Sequence, residues 1–244
     1  MITPPISLTG EWRHLALVSW RVDAALLAPF VPRGTTLDRW EGHPYLSVVG
    51  LRFLHLGVGG VPVPLHGDFS QVNLRFYVRR EVGGETRRGA VFLRELVALP
   101  TLTAAARLTI GEPYETMPVR CRVVFHPGEA REPTVVEYAW GSGKREGLVT
   151  LVVEAGSGRP LPAGSREEFI AERCWGYAAQ RDGSTAEYRV EHPRWRVWRS
   201  ENTVVSGDLA AAFDPVFADV MREPPDSAFV AEGSAMTVHP PSTF

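Results

Sequence analysis

The sequence predicts an α+β fold that is mainly β, in which short antiparallel strands form a closed or nearly closed sheet with a few short helices around it. Short runs of alternating apolar and polar residues recur along the 244-residue chain, and Gly- or Pro-containing turns separate them. No linker or low-complexity tract interrupts the series, so we expect one domain over residues 1–244. Closure is expected because so many short strands would otherwise expose unpaired edges.

The predicted strands are joined by recognisable turns. Gly83-Gly84 and Asp182-Gly183 are dipeptides that favour β-hairpins. Residues 55–69 are rich in Gly and Pro and are predicted to form a long loop. The strands that alternation predicts span residues 14–21, 44–53, 70–79, 90–99, 107–110, 119–125, 134–140, 148–154, 177–180, 187–191, 195–200 and 229–238.

Helical signals are few and short. Asp23 is placed to cap a short helix at its N-terminus. Ser165 followed by Glu168 gives the capping-box pattern, which predicts a helix of roughly two turns. Residues 208–222 are predicted to be helical with an interruption at Pro215. Helices of this length are expected at the periphery of the sheet.

Composition argues against several classes of partner. The net charge is −2, which provides no general attraction for nucleic acid or for an anionic membrane. The longest apolar run is far shorter than the roughly 20 residues that span a bilayer. The two cysteines are far apart, and no basic segment followed by an apolar run begins the chain. We therefore expect a cytoplasmic protein without nucleic-acid or membrane partners, and a homo-oligomer stays open.

No metal site and no cofactor are predicted. The seven histidines are scattered and none forms an HxH or HExxH pattern, whereas a metal site needs several converging ligands. The glycine cluster at residues 57–60 has no following helix that could bind a phosphate. Residues 194–199 alternate arginine with tryptophan, as in single-strand nucleic-acid binders, but the same alternation is typical of an ordinary half-buried strand.

Residues 89–106 carry the most informative charges. Arg94 and Glu95 are neighbours in a predicted strand that is otherwise apolar on both faces, and such a strand is normally covered on both faces. Both side chains are therefore expected inside the barrel, where they need partners. Arg75 is predicted to join them and to pair with Glu95. The pattern fits a cross-strand ion pair that stabilises the barrel and equally fits a pocket lining.

Several stretches resemble the YqjF-like family of bacterial proteins. They are residues 12–30, 37–53, 69–79 (FSQVNLRFYVR), 89–92 (GAVF) and 191–195 (EHPRW). That family is grouped with acetoacetate decarboxylase and its relatives, so the resemblance implies a cone-like, largely antiparallel β-barrel with short peripheral helices. One departure is Gln71, where the family more often has a glutamate.

The resemblance also shows what this chain lacks. The decarboxylase motif reads approximately Arg-Glu, a few apolar residues, and then Pro-Lys-Lys. Arg94-Glu95 and Pro100 match it at the same spacing, but Thr101 and Leu102 stand at the lysine positions. The one lysine of the chain, Lys144, is predicted at a hairpin tip. Since the imine with the substrate requires a lysine amine, the chain is not expected to be an acetoacetate decarboxylase.

Three hypotheses on function follow. The barrel binds a small organic ligand, a carboxylate or a carbonyl compound, without Schiff-base chemistry. Alternatively, the protein is an acid–base enzyme (a lyase, isomerase or dehydratase) in which Glu95, Tyr77, Tyr114 or a histidine moves a proton on a small carbonyl compound. In the third hypothesis the barrel is filled and has no pocket. No catalytic residue is assigned, and the candidate pocket residues are Arg75, Tyr77, Arg94, Glu95, Thr101 and Tyr114.

Overall fold

The computed structural model describes residues 7–64, 67–109 and 111–244. The strands are β1 (Leu8–Arg21), β2 (Thr36–Leu37), β3 (Tyr45–Val58), β4 (Val61–Pro62), β5 (Phe69–Val82), β6 (Glu85–Val97), β7 (Tyr114–Thr116), β8 (Val119–His126), β9 (Glu129–Trp140), β10 (Gly147–Val153), β11 (Arg159–Pro160), β12 (Trp175–Ala179), β13 (Thr185–Glu191), β14 (Arg196–Gly207), β15 (Ser227–Val238) and β16 (Ser242–Thr243). The α-helices are α1 (Ala24–Leu27), α2 (Pro100–Thr109), α3 (Arg166–Ala171), α4 (Leu209–Phe213) and α5 (Pro215–Arg222), with short 3-10 helices at Ala28–Phe30 and Gly143–Arg145.

A closed seven-stranded barrel is the centre of the fold, which confirms the predicted fold class. Its strands follow the order β13, β12, β6, β5, β3, β1 and β15, and β13 also pairs with β15. All neighbouring pairs are antiparallel except β12 and β6, which run parallel. Because the first and last strands pair, the barrel has no free edge.

A second sheet packs against the outside of the barrel, which the sequence analysis did not predict. It continues from β15 through β14, β10 and β9 to β8. Tyr138 and Leu151 of this sheet share a hydrophobic core with Val18 and Val48 of the barrel's outer face. The barrel interior holds a separate core. The chain thus has two cores on opposite faces of the same barrel strands, and the prediction of one simple barrel is incomplete.

Two predicted elements are wrong. Residues 100–109 form helix α2, whereas a strand was expected at 107–110. Proline is tolerated in the first turn of a helix, and the alanines at 104–106 favour helical structure over a strand. The predicted loop at 55–69 is shorter than expected, because β3 runs to Val58 and β5 begins at Phe69. Residues 65–66 and 110 lie outside the described residues.

A bulge in β6 decides which of its side chains face the barrel interior. The register against β5 shifts at Leu93, which is left without a partner between Phe92 and Arg94. Phe92 and Glu95 therefore both face the interior, although strict alternation would place them on opposite faces. Arg94 lies on the outer side, where it pairs with Glu115 at 3.1 Å.

Helix α3 packs its buried residues against the interior core of the barrel, and its N-terminus is capped as the sequence predicts. The Ser165 hydroxyl accepts a hydrogen bond from the Glu168 backbone N–H at 3.1 Å. The Glu168 carboxylate in turn accepts one from the backbone N–H of Gly164 at 2.6 Å. The helix ends at Ala171, which is buried with Phe169 against the interior core. This placement brings the segment that follows α3 to the wall of the barrel.

Candidate functional site

The barrel interior contains a cavity of about 120 Å³. Most of its wall is apolar and includes Leu15, Phe53, Phe69, Trp195 and Met236. An apolar cavity of about 150 Å³ can hold benzene, so this cavity suits a molecule of roughly five or six heavy atoms. Its presence contradicts the hypothesis of a filled barrel.

Polar side chains gather on one part of the cavity wall. Asn73, Glu95, Glu112 and Arg173 are buried there, and Arg75 is half-buried. The atoms Asn73 Oδ1, Arg75 Nε, Glu95 Oε2, Arg173 Nε and Arg173 Nη2 have no hydrogen-bond partner within the described residues. A buried polar atom without a partner costs roughly 1–3 kcal/mol. These atoms are concentrated around one cavity, where they can donate or accept further hydrogen bonds.

Glu95 and Glu112 form a buried pair of carboxyl groups. Gln71 donates from Nε2 to Glu95 Oε1 at 2.6 Å, and the Tyr188 hydroxyl donates to Glu112 Oε1. Burial, followed by the neighbouring Glu112, raises the pKa of Glu95 well above its usual range. Burial raises the pKa of Glu112 to about 7, although hydrogen bonds with Tyr188 and Glu95 act to lower it. At neutral pH the pair therefore holds at least one proton.

Two tyrosines adjoin this carboxyl pair. The parallel pairing of β7 with β6 places Tyr114 beside Glu95, and burial and then Glu95 raise the pKa of Tyr114 well above its usual range. Burial and then Glu112 act in the same way on the pKa of Tyr188. A Cβ at Gly176 would lie 2.0 Å from Cζ of Tyr188, so only glycine leaves room for that ring. Both tyrosines therefore stay neutral at physiological pH.

Arg173 belongs to a buried ion pair at the edge of the cavity. It donates from Nη1 to Asp38 Oδ2 at 2.6 Å, and the two side chains are 2% and 1% exposed. Its guanidinium also lies 4.0 Å from the ring centroid of Phe169 and 4.6 Å from that of Tyr77. The Asp38 carboxylate thus compensates most of the charge of Arg173.

Arg75 has no such compensation. Its Nη2 donates to the backbone carbonyl of Ile170 at 3.2 Å, and in the described part of the chain it forms no ion pair with a carboxylate. The expected pairing with Glu95 is wrong, because the Gln71 amide occupies that position. The guanidinium of Arg75 is therefore available to an anionic ligand.

The structure brings three of the predicted pocket residues to the cavity, namely Arg75, Glu95 and Tyr114. Tyr77 lies behind the wall: its hydroxyl is 2.7 Å from the Ser47 hydroxyl.

Arg94 and Thr101 do not line the cavity, which corrects the prediction. The bulge in β6 turns Arg94 outward, and Thr101 is exposed in the first turn of α2. The next residue, Leu102, lines the cavity instead. Of the two positions that carry lysines in the decarboxylase motif, one is exposed here and the other is an apolar part of the cavity wall.

Sequence reasoning missed Glu112, Arg173 and Tyr188. Glu112 is flanked by Gly111 and Pro113 in a connection without alternation, and Arg173 follows a predicted helix. All three are brought to the cavity wall by contacts with residues that are distant from them in sequence. Gln71, which the sequence analysis noted only as a departure from the family pattern, is the one local feature of the sequence that points to this polar cluster.

Two further features bear on the kind of site. Within residues 7–64, 67–109 and 111–244, no group of His, Cys, Asp and Glu side chains could hold a metal ion. No described helix has the length and apolar character to cross a membrane.

The fold is that of the acetoacetate-decarboxylase-like β-barrel proteins. The chain is similar to acetoacetate decarboxylase from Legionella pneumophila, with a TM-score of 0.66 and 14% identity over 100% of this chain and 92% of the other. It is similar to an acetoacetate decarboxylase-like enzyme from Sphingomonas wittichii RW1, with a TM-score of 0.65 and 14% identity over 100% and 94%. The chain is also similar to the enduracididine biosynthesis enzyme MppR, which was solved in complex with pyruvate. The TM-score is 0.64, with 15% identity over 100% of this chain and 91% of the other. At these identities the likeness shows the fold alone.

The chain belongs to the DUF2071 family, described as an uncharacterized conserved protein, whose model matches residues 9–235. The resemblance noted from the sequence, to a family within the acetoacetate-decarboxylase-like superfamily, is confirmed. A comparison with curated proteins gave no match.

Proposed function

We propose that the barrel cavity binds a small organic carboxylate without forming a covalent imine. The observation that carries this proposal is the guanidinium of Arg75, which lies on the wall of a mostly apolar cavity with no carboxylate partner among the described residues. A guanidinium can donate two parallel hydrogen bonds to a carboxylate. The apolar wall would contact the hydrocarbon part of the ligand.

The neighbouring polar groups favour a ligand with a second oxygen function. Protonated Glu95 is a donor, and its Oε2 has no partner in the described part of the chain. A carbonyl oxygen on the ligand would accept that hydrogen bond. MppR has been solved in complex with pyruvate, a small carboxylate with such a carbonyl. Lys144 is exposed in the connection between β9 and β10 and offers no amine to the cavity.

Binding of butyrate tests this proposal, with its neutral isostere butyramide as the matched ligand. We expect titration calorimetry to detect butyrate and to give weaker binding for butyramide. Arg75→Gln is expected to weaken butyrate binding roughly 10- to 100-fold, since hydrogen bonds to charged groups contribute roughly 1.5–3 kcal/mol. Arg94→Gln is the control, because Arg94 lies on the same pair of strands but outside the cavity.

Equal affinities for butyrate and butyramide would contradict recognition of the carboxylate. So would an Arg75→Gln variant that binds butyrate as tightly as the Arg94→Gln variant does.

The Glu95–Glu112 pair favours acid–base catalysis on a small carbonyl compound as a second candidate function. A carboxyl group with a raised pKa can hold or accept a proton near neutral pH. If this function is correct, the protein accelerates exchange of the C3 protons of 2-oxobutyrate in D2O, observed by NMR. Glu95→Gln would abolish the acceleration while Arg94→Gln keeps it. Exchange no faster than in buffer alone would exclude this chemistry for that ligand.

A further inference from the structure

We infer that a carboxylate ligand is bound together with a proton, and that Glu112 takes up this proton from the exterior. This inference rests on the proposed function and specifies how that site is regulated. It gives a role to the buried carboxyl group of Glu112, which the proposed recognition of a ligand carboxylate by Arg75 does not require.

The position of Glu112 supports this role. Glu112 follows α2 and precedes β7, and it lines the interior cavity together with Glu95. It also lines an external cleft that Arg107, Arg181 and Asp182 border. Among the described residues, Glu112 is the one that contributes to both walls. A proton that moves between the cavity and the exterior at this point passes the Glu112 carboxyl group.

Hydrogen bonds hold both carboxyl groups of the pair in place. Gln71 and Tyr188 each donate to one carboxyl oxygen, Oε1 of Glu95 and Oε1 of Glu112 respectively. Glu95 lines the cavity, and its Oε2 has no partner in the described part of the chain. Each of the two carboxyl groups also changes the pKa of the other. Because Glu95 keeps its own proton near neutral pH, the proton that is taken up stays on the Glu112 carboxyl group and leaves by the same path on release.

The charges around the pair determine when a proton is taken up. The titratable and charged groups near it are Tyr114 on β7, Tyr188 on β13, His192, Arg75 and Arg173 at the cavity, and Arg107, Arg181 and Asp182 at the cleft. A bound carboxylate adds a negative charge to the cavity and disfavours ionised Glu112. Since Glu112 has a pKa of about 7, the free protein is ionised there at pH 8 and binding restores the proton. At pH 6 the proton is already present.

Calorimetric titration of the whole protein with butyrate, in buffers of different ionisation enthalpy, measures this proton directly. We expect uptake that approaches one proton at pH 8 and little uptake at pH 6. The affinity for butyrate should fall about tenfold per pH unit above pH 7. Glu112→Gln is expected to bind butyrate with little proton uptake at either pH.

Two matched variants make the test specific. His192→Gln removes the imidazole of the cavity wall, and this variant should take up the proton as the original protein does. Tyr188→Phe removes the hydrogen bond that lowers the pKa of Glu112, so the midpoint of proton uptake should move to higher pH. This shift can be measured even if Glu112→Gln does not fold.

Failure of the proposed function can be distinguished from failure of this inference. If butyrate does not bind at pH 6, the proposed function is wrong and this inference falls with it. If butyrate binds at pH 6 and pH 8 without proton uptake, the inference alone is wrong. Loss of uptake in His192→Gln, full uptake in Glu112→Gln, or an unmoved midpoint in Tyr188→Phe would also overturn it.

Discussion

Replacing Asp38 with alanine is expected to lower the free energy of unfolding by about 3–5 kcal/mol. The change leaves the Arg173 guanidinium buried without its carboxylate partner, and that side chain is 2% exposed. Rings of Phe169 and Tyr77 flank the guanidinium, so water cannot readily replace the carboxylate. Urea unfolding at pH 7, followed by circular dichroism, measures the loss.

Asp219→Ala is the control for this prediction. Asp219 forms an ion pair with Arg222 in which the side chains are 90% and 64% exposed. Exposed pairs contribute between zero and about 1 kcal/mol, so its removal should have little effect. Similar small losses in the two variants would show that Arg173 does not depend on Asp38.

Glu112→Gln is expected to remove a large pH dependence of stability. In the folded protein, burial raises the pKa of Glu112 from 4.5 to about 7. Between these values the folded state keeps a proton that the unfolded state has released. The resulting stability is fully present below pH 4.5 and is lost as the pH rises through 7, which amounts to about 3 kcal/mol. Glutamine cannot ionise, so the variant should lack this contribution.

Urea unfolding at pH 5, 6, 7 and 8 compares the variant with the original protein. We expect the two free energies of unfolding to diverge progressively toward pH 8, with the variant more stable there. Glu201→Gln, at an exposed position of β14, should follow the original protein at every pH. Parallel pH profiles for Glu112→Gln and the original protein would show that Glu112 does not hold its proton near neutrality.

The barrel could be predicted from the sequence because its signals are local. Period-two alternation over residues 70–79 identifies β5, and the Gly83-Gly84 dipeptide predicts the hairpin to β6. The side-chain caps of α1 and α3 follow from Asp23 and Ser165 in the same way. Burial of Glu95 follows from a strand that is apolar on both faces.

The candidate site could be predicted only in part, because its geometry depends on non-local contacts. The unpaired Leu93 in β6 reverses the side on which Arg94 lies, and nothing in the local pattern indicates a bulge there. Glu112 meets Tyr188 across 76 residues, and Arg173 meets Asp38 across 135. Pairs at such separations are determined by barrel closure, which single-sequence periodicity does not describe.

Gln71 illustrates how a departure from a family pattern can be interpreted physically. Its amide donates to Glu95 in the immediate neighbourhood of Glu112. A glutamate at position 71 would place a third carboxyl group in this cluster and would raise the cost of ionising any of them. The amide instead supplies a donor, which leaves the proton balance of the site to Glu95 and Glu112.

A crystal structure of the protein with 3-bromopropionate tests the central claim most directly. This carboxylate has six heavy atoms and suits a cavity of about 120 Å³, and its bromine can be located by anomalous scattering. We expect the bromine in the apolar part of the barrel, near Phe53 and Trp195, and the carboxylate about 3 Å from the Arg75 guanidinium. A bromine peak only outside the barrel, or a carboxylate in the cavity that makes no contact with Arg75, would contradict the account.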